Sequence, residues 1–247
     1  MARVMLAGTA SIVLAVIAAA AGWWVLMRAD AQLATESPEI PAALLNATAT
    51  PSAEATEAAA TTEVSTDSVL TFAVNSDLSE AAYFVNEELA TLGVPSTAKG
   101  TTNQVSGTLY VTADGSLAAD AASQFVVDLT GLTSDESKRD ERVQETLETS
   151  QYPTATFTAT GVTGYDAGLP EGEEQVLQLT GILDLHGVQK EVTWEVKAVR
   201  QENVISALAT VTVAFADFNM TAPTFAQIVS IDDKATLQVQ LIAQAAA

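Results

Sequence analysis

A chain of 247 residues with 31 Asp and Glu against 10 Lys and Arg carries a formal charge of −21 and has no cysteine. That balance excludes the basic face that nucleic-acid phosphates demand, and it argues against adsorption to anionic lipid heads. The missing thiols exclude disulfides, thiolate metal sites and a cysteine nucleophile, and leave the compartment open.

Val4 to Met27 is a run of 24 residues without a charge, bounded by Arg3 and Arg28. As a helix it would span roughly 36 Å, enough to cross a hydrocarbon core of about 30 Å with some tilt. Trp23 and Trp24 sit near its outer end, where amphipathic rings favour the interface. The terminal amine and Arg3 outweigh Arg28, whose charge Asp30 offsets, so the N-terminus is expected inside and the remainder outside. The alternative is a cleaved signal peptide with Ala29-Asp30-Ala31 as its A-x-A site, although signal h-regions usually run about 7–15 residues. Residues 1–28 are thus a membrane anchor or a signal peptide. The rest is expected on the extracytoplasmic side of a cell membrane, or periplasmic or secreted after cleavage.

Residues 29–68 form a separate compositional block, rich in Ala, Thr, Glu, Ser and Pro. From Asp30 to Asp67 it holds seven acidic residues, no basic residue and no aromatic. Such a stretch buries too little apolar surface to offset its ordering entropy. A flexible coil of 38 residues would span roughly 35 Å. The expectation is a disordered acidic tether.

From Val69 the texture changes to alternation. Leu70, Phe72 and Val74 alternate, Tyr83, Val85 and Leu89 make a looser run, and Val105, Leu109 and Val111 end at the turn signal Asp114-Gly115. Phe125, Val127 and Leu129 follow. Then Ser137 to Thr160 reads as a polar helix turning directly into a strand. Thr133 with Glu136, and Ser137 with Asp140, have the spacing that caps a helix start. Within that helix only Val143 and Leu147 are apolar, a stripe too narrow to hold it unless it lies against something larger. Pro153 ends it, and Ala155, Phe157 and Ala159 then alternate with threonines.

Beyond a Gly/Pro/Glu loop come Leu177, Leu179, Leu183 and Leu185, a break at His186-Gly187, and Val192, Trp194 and Val196. Two more runs, Val204 to Phe215 and Ala235 to Ala243, complete the pattern. A period of two with one wet face means an antiparallel sheet. Closure hides the dry face and removes the edges. We therefore expect an all-β fold over residues 69–245, an antiparallel lipocalin-like barrel of about eight strands with one short lid helix; a two-sheet sandwich is the alternative. A block of this size can bury roughly 70% of its unfolded surface, enough for one core.

Several of these segments resemble the YceI-like polyisoprenoid-binding family. They are the K-R-D-E-R run before Y-P-T-A-T-F, Leu183 to Val188 with Lys190 (L-D-L-H-G-V-x-K), and Asp217, Phe218 and Met220 followed by Ile228 and Val229. The similarity covers roughly Val69 to Ala243. A histidine often found in the family on the second strand has no counterpart; Asn86, Glu87 and Glu88 occupy that stretch.

Small residues beside large ones on the inward parity, such as Ala155 and Ala159 around Phe157, Gly181 after Leu179, and Ala207 and Ala209 before Val211, leave volume without polarity. From pattern alone this is either a tapered, filled core or room for an apolar ligand. The resemblance implies the second: a cavity around an isoprenoid or other amphiphilic chain, with a bound lipid or quinone in place of a cofactor. One buried CH₂ contributes roughly 0.8 kcal/mol, so an isoprene unit offers on the order of 4 kcal/mol before ordering costs. The expected lining is Phe125, Leu129, Phe157, Leu179, Leu183, Trp194 and Val196, with Val143 and Leu147 anchoring the lid.

Arg139 and Arg142 on the lid helix are candidate head-group contacts, against the plainer reading that they pair with Asp135 and Glu145 at helical spacing. His186, the single histidine, reads as a turn residue. No metal-ligand spacing, G-x-S-x-G or phosphate-binding glycine motif occurs, so no enzymatic activity is expected. A surface module with a packed core and no ligand is the competing function. The membrane, through the N-terminal helix, is the other expected partner; no protein partner is indicated.

Overall fold

The computed structural model describes residues 31–45, 69–89, 94–223 and 228–246. The apolar run 4–27 and residues 46–68 lie outside them. No helix among the described residues is long and apolar enough to cross a membrane.

Eight strands close a ring. β1 (Leu70–Val74), β4 (Val105–Val111), β5 (Gln124–Asp128), β7 (Thr154–Thr163), β8 (Glu174–Leu185), β9 (Val188–Gln201), β10 (Val204–Ala214) and β12 (Lys234–Ala245) pair antiparallel in that order. β12 then returns to β1 through Phe72–Ala245 and Val74–Ala243. The barrel expected from alternation is present. Four further strands join the ring through β12: β2 (Glu80–Leu89) pairs with it, β3 (Val94–Thr102) and β11 (Ile228–Ile231) pair with β2, and β6 (Thr133–Ser134) pairs with β3.

β1 and β2 share β12. β2 takes Thr236–Gln240 and β1 takes Ala243–Ala245, with a 3₁₀ turn over Ser76–Leu78 between them. Ile242 falls at the changeover. Its amide donates to Ser79 Oγ at 3.1 Å, Ser79 Oγ donates to the Asn75 carbonyl at 2.8 Å, and the Ile242 carbonyl accepts from Asn75 N at 2.8 Å. The buried backbone is satisfied where the partner strand changes.

β3 was not legible as a strand. Its inward positions include Ala98 and Gly100, and the volume there is supplied by Tyr83 of β2, which faces Gly100 in register. A Cβ at Gly100 would sit 2.3 Å from the Tyr83 ring. The pattern lost its alternation because the neighbouring strand carries the bulk.

The lid helix, α2 (Ser137–Thr146), forms where expected, after α1 (Ala42–Leu45), but its cap differs from both spacings read from sequence. Thr133 is in β6, paired with Thr101. Asp140 instead reaches back to accept from the Ser134 amide at 2.7 Å and from Ser134 Oγ at 2.6 Å, while Ser134 Oγ accepts from Glu136 N at 3.2 Å. Helix start and strand end are thereby tied together.

The acidic block contains an unexpected contact. Residues 33–45 belong to the same compact unit as the barrel. On outward-facing positions of β10 and β12, Ser206 is 0% and Gln238 4% exposed, because this segment lies over them. The Gln238 side chain accepts from Ala34 N at 2.9 Å and donates to the Ala34 carbonyl at 2.9 Å, the two bonds a neighbouring strand would make. Ser206 Oγ donates to the Pro38 carbonyl, Lys197 Nζ to the Thr35 carbonyl at 2.5 Å, and Ser37 N to Glu174 Oε2 at 3.2 Å. Composition could not show this, because apart from Ser37 Oγ donating to Glu174 Oε2 at 3.1 Å these contacts use backbone groups of the segment.

Candidate functional site

Inward parity follows from register. Val196 faces Ala209 and Leu177, and Trp194 faces Leu179 across β8, so these residues share the inner face. Leu183 faces Phe157, which faces Phe125. A cavity of about 340 Å³ remains among them, at the lower end of the range for small-molecule sites. All seven expected lining residues, Phe125, Leu129, Phe157, Leu179, Leu183, Trp194 and Val196, border it.

The small inward residues divide into two kinds. Gly181 leaves no void: a Cβ there would lie 2.6 Å from the Phe157 ring and 2.3 Å from the Thr158 carbonyl oxygen. Its missing side chain makes room for the aromatic pair Phe157–Trp194, edge to face with centroids 5.9 Å apart. Ala155, Ala207 and Ala209 do border the open space.

α2 lies over one end. Val143 and Leu147 pack onto the core and border the cavity, as their spacing suggested, and Arg139 borders it too. Arg142 does not. It points to Glu145 at 2.5 Å with both side chains at least half exposed, an arrangement worth little in water.

Arg139 has a different setting. Nη1 pairs with Asp135 at helical spacing, while Nη2 lies 3.2 Å from Glu87 Oε1 on β2. Glu87 is 6% exposed and borders the cavity, so a buried carboxylate stands beside the apolar space. Burial works to lower the Arg139 pKa, but Glu87 and Asp135 outweigh it and the net shift is upward. The guanidinium is permanently charged and already committed. Beside it, burial pushes the Tyr83 phenol up to about 12, partly opposed by Arg139 and reinforced by Asp140, Glu87 and Asp135.

Tyr83, Glu87 and Arg200 are among the cavity residues that sequence reasoning did not select. Tyr83 and Glu87 share the inward parity of Val85, which was a usable signal. Arg200 continues the Trp194, Val196, Ala198 face, with its guanidinium 5.9 Å from the Phe72 ring centroid. Trp194 Nε1 and Arg200 Nε are buried without a hydrogen-bond partner among the described residues.

The distant motif segments converge on one corner at the lid end. His186, in the left-handed region at φ 54°, places Nδ1 3.0 Å from the Phe218 carbonyl. Its ring meets Tyr152 edge-on at 4.9 Å, and Lys190 Nζ reaches Asp217 Oδ1 at 2.5 Å. Phe218 and Met220 are buried in the core. These residues join the β8–β9 turn, the segment after β10 and the segment after α2. Their mutual contacts brace this corner, and Met220 also borders the cavity.

The YceI-like domain family matches residues 72–243. No curated protein matches the chain. Among solved structures, a polyisoprenoid binding domain from Saccharophagus degradans, implicated in plant cell wall breakdown, is 20% identical with TM-score 0.57, covering 72% of this chain and 99% of that one. BcnA from Burkholderia cenocepacia is 17% identical with TM-score 0.54, covering 69% of this chain and 99% of that one. At these identities the likeness is one of fold.

Proposed function

We propose that this chain, which belongs to the YceI-like domain family, binds the apolar tail of an isoprenoid or similar amphiphilic lipid inside its barrel without transforming it. The carrying observation is the space of about 340 Å³ bordered by apolar side chains beneath a helix held by Val143 and Leu147. The polyisoprenoid-binding description of one structural relative supplies the ligand class. Unfilled apolar volume is destabilising, and a hydrocarbon within it offsets that penalty. At roughly 0.8 kcal/mol per buried CH₂, a few isoprene units exceed the ordering costs of binding. The open space favours this reading over a packed module without ligand.

The uncharged run 4–27 supports a setting outside the cytoplasmic membrane, held by a single helix or released after cleavage. Organic extraction of the purified protein followed by mass spectrometry tests the binding role. A prenyl lipid recovered in stoichiometric amount is the expected result. Repeated failure to recover or load any such lipid would remove the reading.

A further inference from the structure

The lid end of the cavity carries more charge than a hydrocarbon needs. Four charged groups bear on the Tyr83 hydroxyl: Arg139, Asp140, Glu87 and Asp135. One cation faces three carboxylates, and two of those carboxylates already hold the cation, Glu87 from β2 and Asp135 from the segment before α2. A phosphate entering here would meet a guanidinium without free charge and a field of net negative sign. Glu87, 6% exposed and bordering the cavity, is the carboxylate that water screens least, and its repulsion of a phosphate is the strongest.

Tyr83 differs from its charged neighbours. It borders the cavity with its ring laid over Gly100, and its hydroxyl has no hydrogen-bond partner among the described residues. A half-buried phenol in that state offers a donor at the lip of an apolar space. We infer that the head of the bound lipid is an uncharged oxygen acceptor, a hydroxyl or carbonyl taking a hydrogen bond from Tyr83, and that the Glu87–Arg139 pair discriminates against phosphorylated heads. This rests on the carrier reading above. Glu87 is central, because a neutral residue there would leave Arg139 with charge to spare.

The test is binding of three probes with one chain type to the detergent-solubilised full chain: farnesol, farnesyl phosphate and the hydrocarbon farnesene. Farnesol is expected to bind at least about tenfold more tightly than the phosphate, given like charges at close range. Glu87→Gln is expected to narrow that gap several-fold by improving the phosphate. Tyr83→Phe is expected to weaken farnesol about fivefold, the loss of one neutral hydrogen bond, and to leave farnesene unchanged. Phosphate binding as tight as farnesol in the unaltered protein, or equal weakening of farnesol and farnesene by Tyr83→Phe, would overturn the inference while leaving the carrier standing. Failure of all three probes to bind would remove the carrier reading itself. If Glu87→Gln does not fold, the unaltered protein and Tyr83→Phe still decide the matter.

Discussion

Arg139 and Arg142 lie three positions apart on one helix and have opposite fates. Arg142 pairs with Glu145 in water, so Arg142→Ala is expected to change stability by less than about 0.5 kcal/mol. Arg139→Ala strands the buried Glu87 carboxylate, and is expected to cost about 3 kcal/mol in chemical denaturation. Equal effects would mean that the buried pair carries no weight. Tyr83 gives a second residue-scale prediction. Its phenol holds its proton more tightly folded, at about 12, than unfolded, near 10. The folded state therefore binds more protons over that window, and the stability contribution, complete below about pH 10, is lost as pH rises toward about 12. Ultraviolet titration should find a tyrosine ionising near pH 12 that is missing in Tyr83→Phe.

At the scale of elements, one attachment can be released and one close approach overfilled, each by a single substitution. Replacing Gln238 with Leu removes both bonds to Ala34 and leaves that backbone amide and carbonyl without their partner. Since such groups cost about 1–3 kcal/mol when left unmade, residues 33–45 should detach, and limited proteolysis should cut there sooner while the barrel persists. Unchanged cleavage would show that the other contacts suffice. Gly181→Ala forces a methyl against the Thr158 carbonyl and the Phe157 ring, and an overpacking loss of about 1–3 kcal/mol is expected in thermal unfolding.

Alternation made β7, β8 and β9 readable because their inward residues carry their own bulk. It failed at β3, whose inner volume belongs to Tyr83. The lid helix was legible from Val143 and Leu147, but its cap was not, because Asp140 bonds backward to Ser134 across the helix start. Burial of Glu87 was hidden for another reason: its partner, Arg139, lies 52 residues away.

For the whole molecule, closure of eight strands and a narrow lid leave apolar space that no side chain fills. The motif residues that carry the family resemblance divide: His186, Lys190, Asp217 and Phe218 brace one corner, while Arg139, Phe157, Leu183 and Met220 border the cavity. The most direct test uses Trp194, which borders the cavity, in a chain whose Trp23 and Trp24 are replaced by phenylalanine. Its emission is followed as farnesol is added, with and without Ala209→Phe to occupy the space. The account predicts a saturable change at one ligand per chain that the filled variant abolishes. Farnesol bound with Trp194 emission unmoved, or bound equally well by the filled variant, would contradict it.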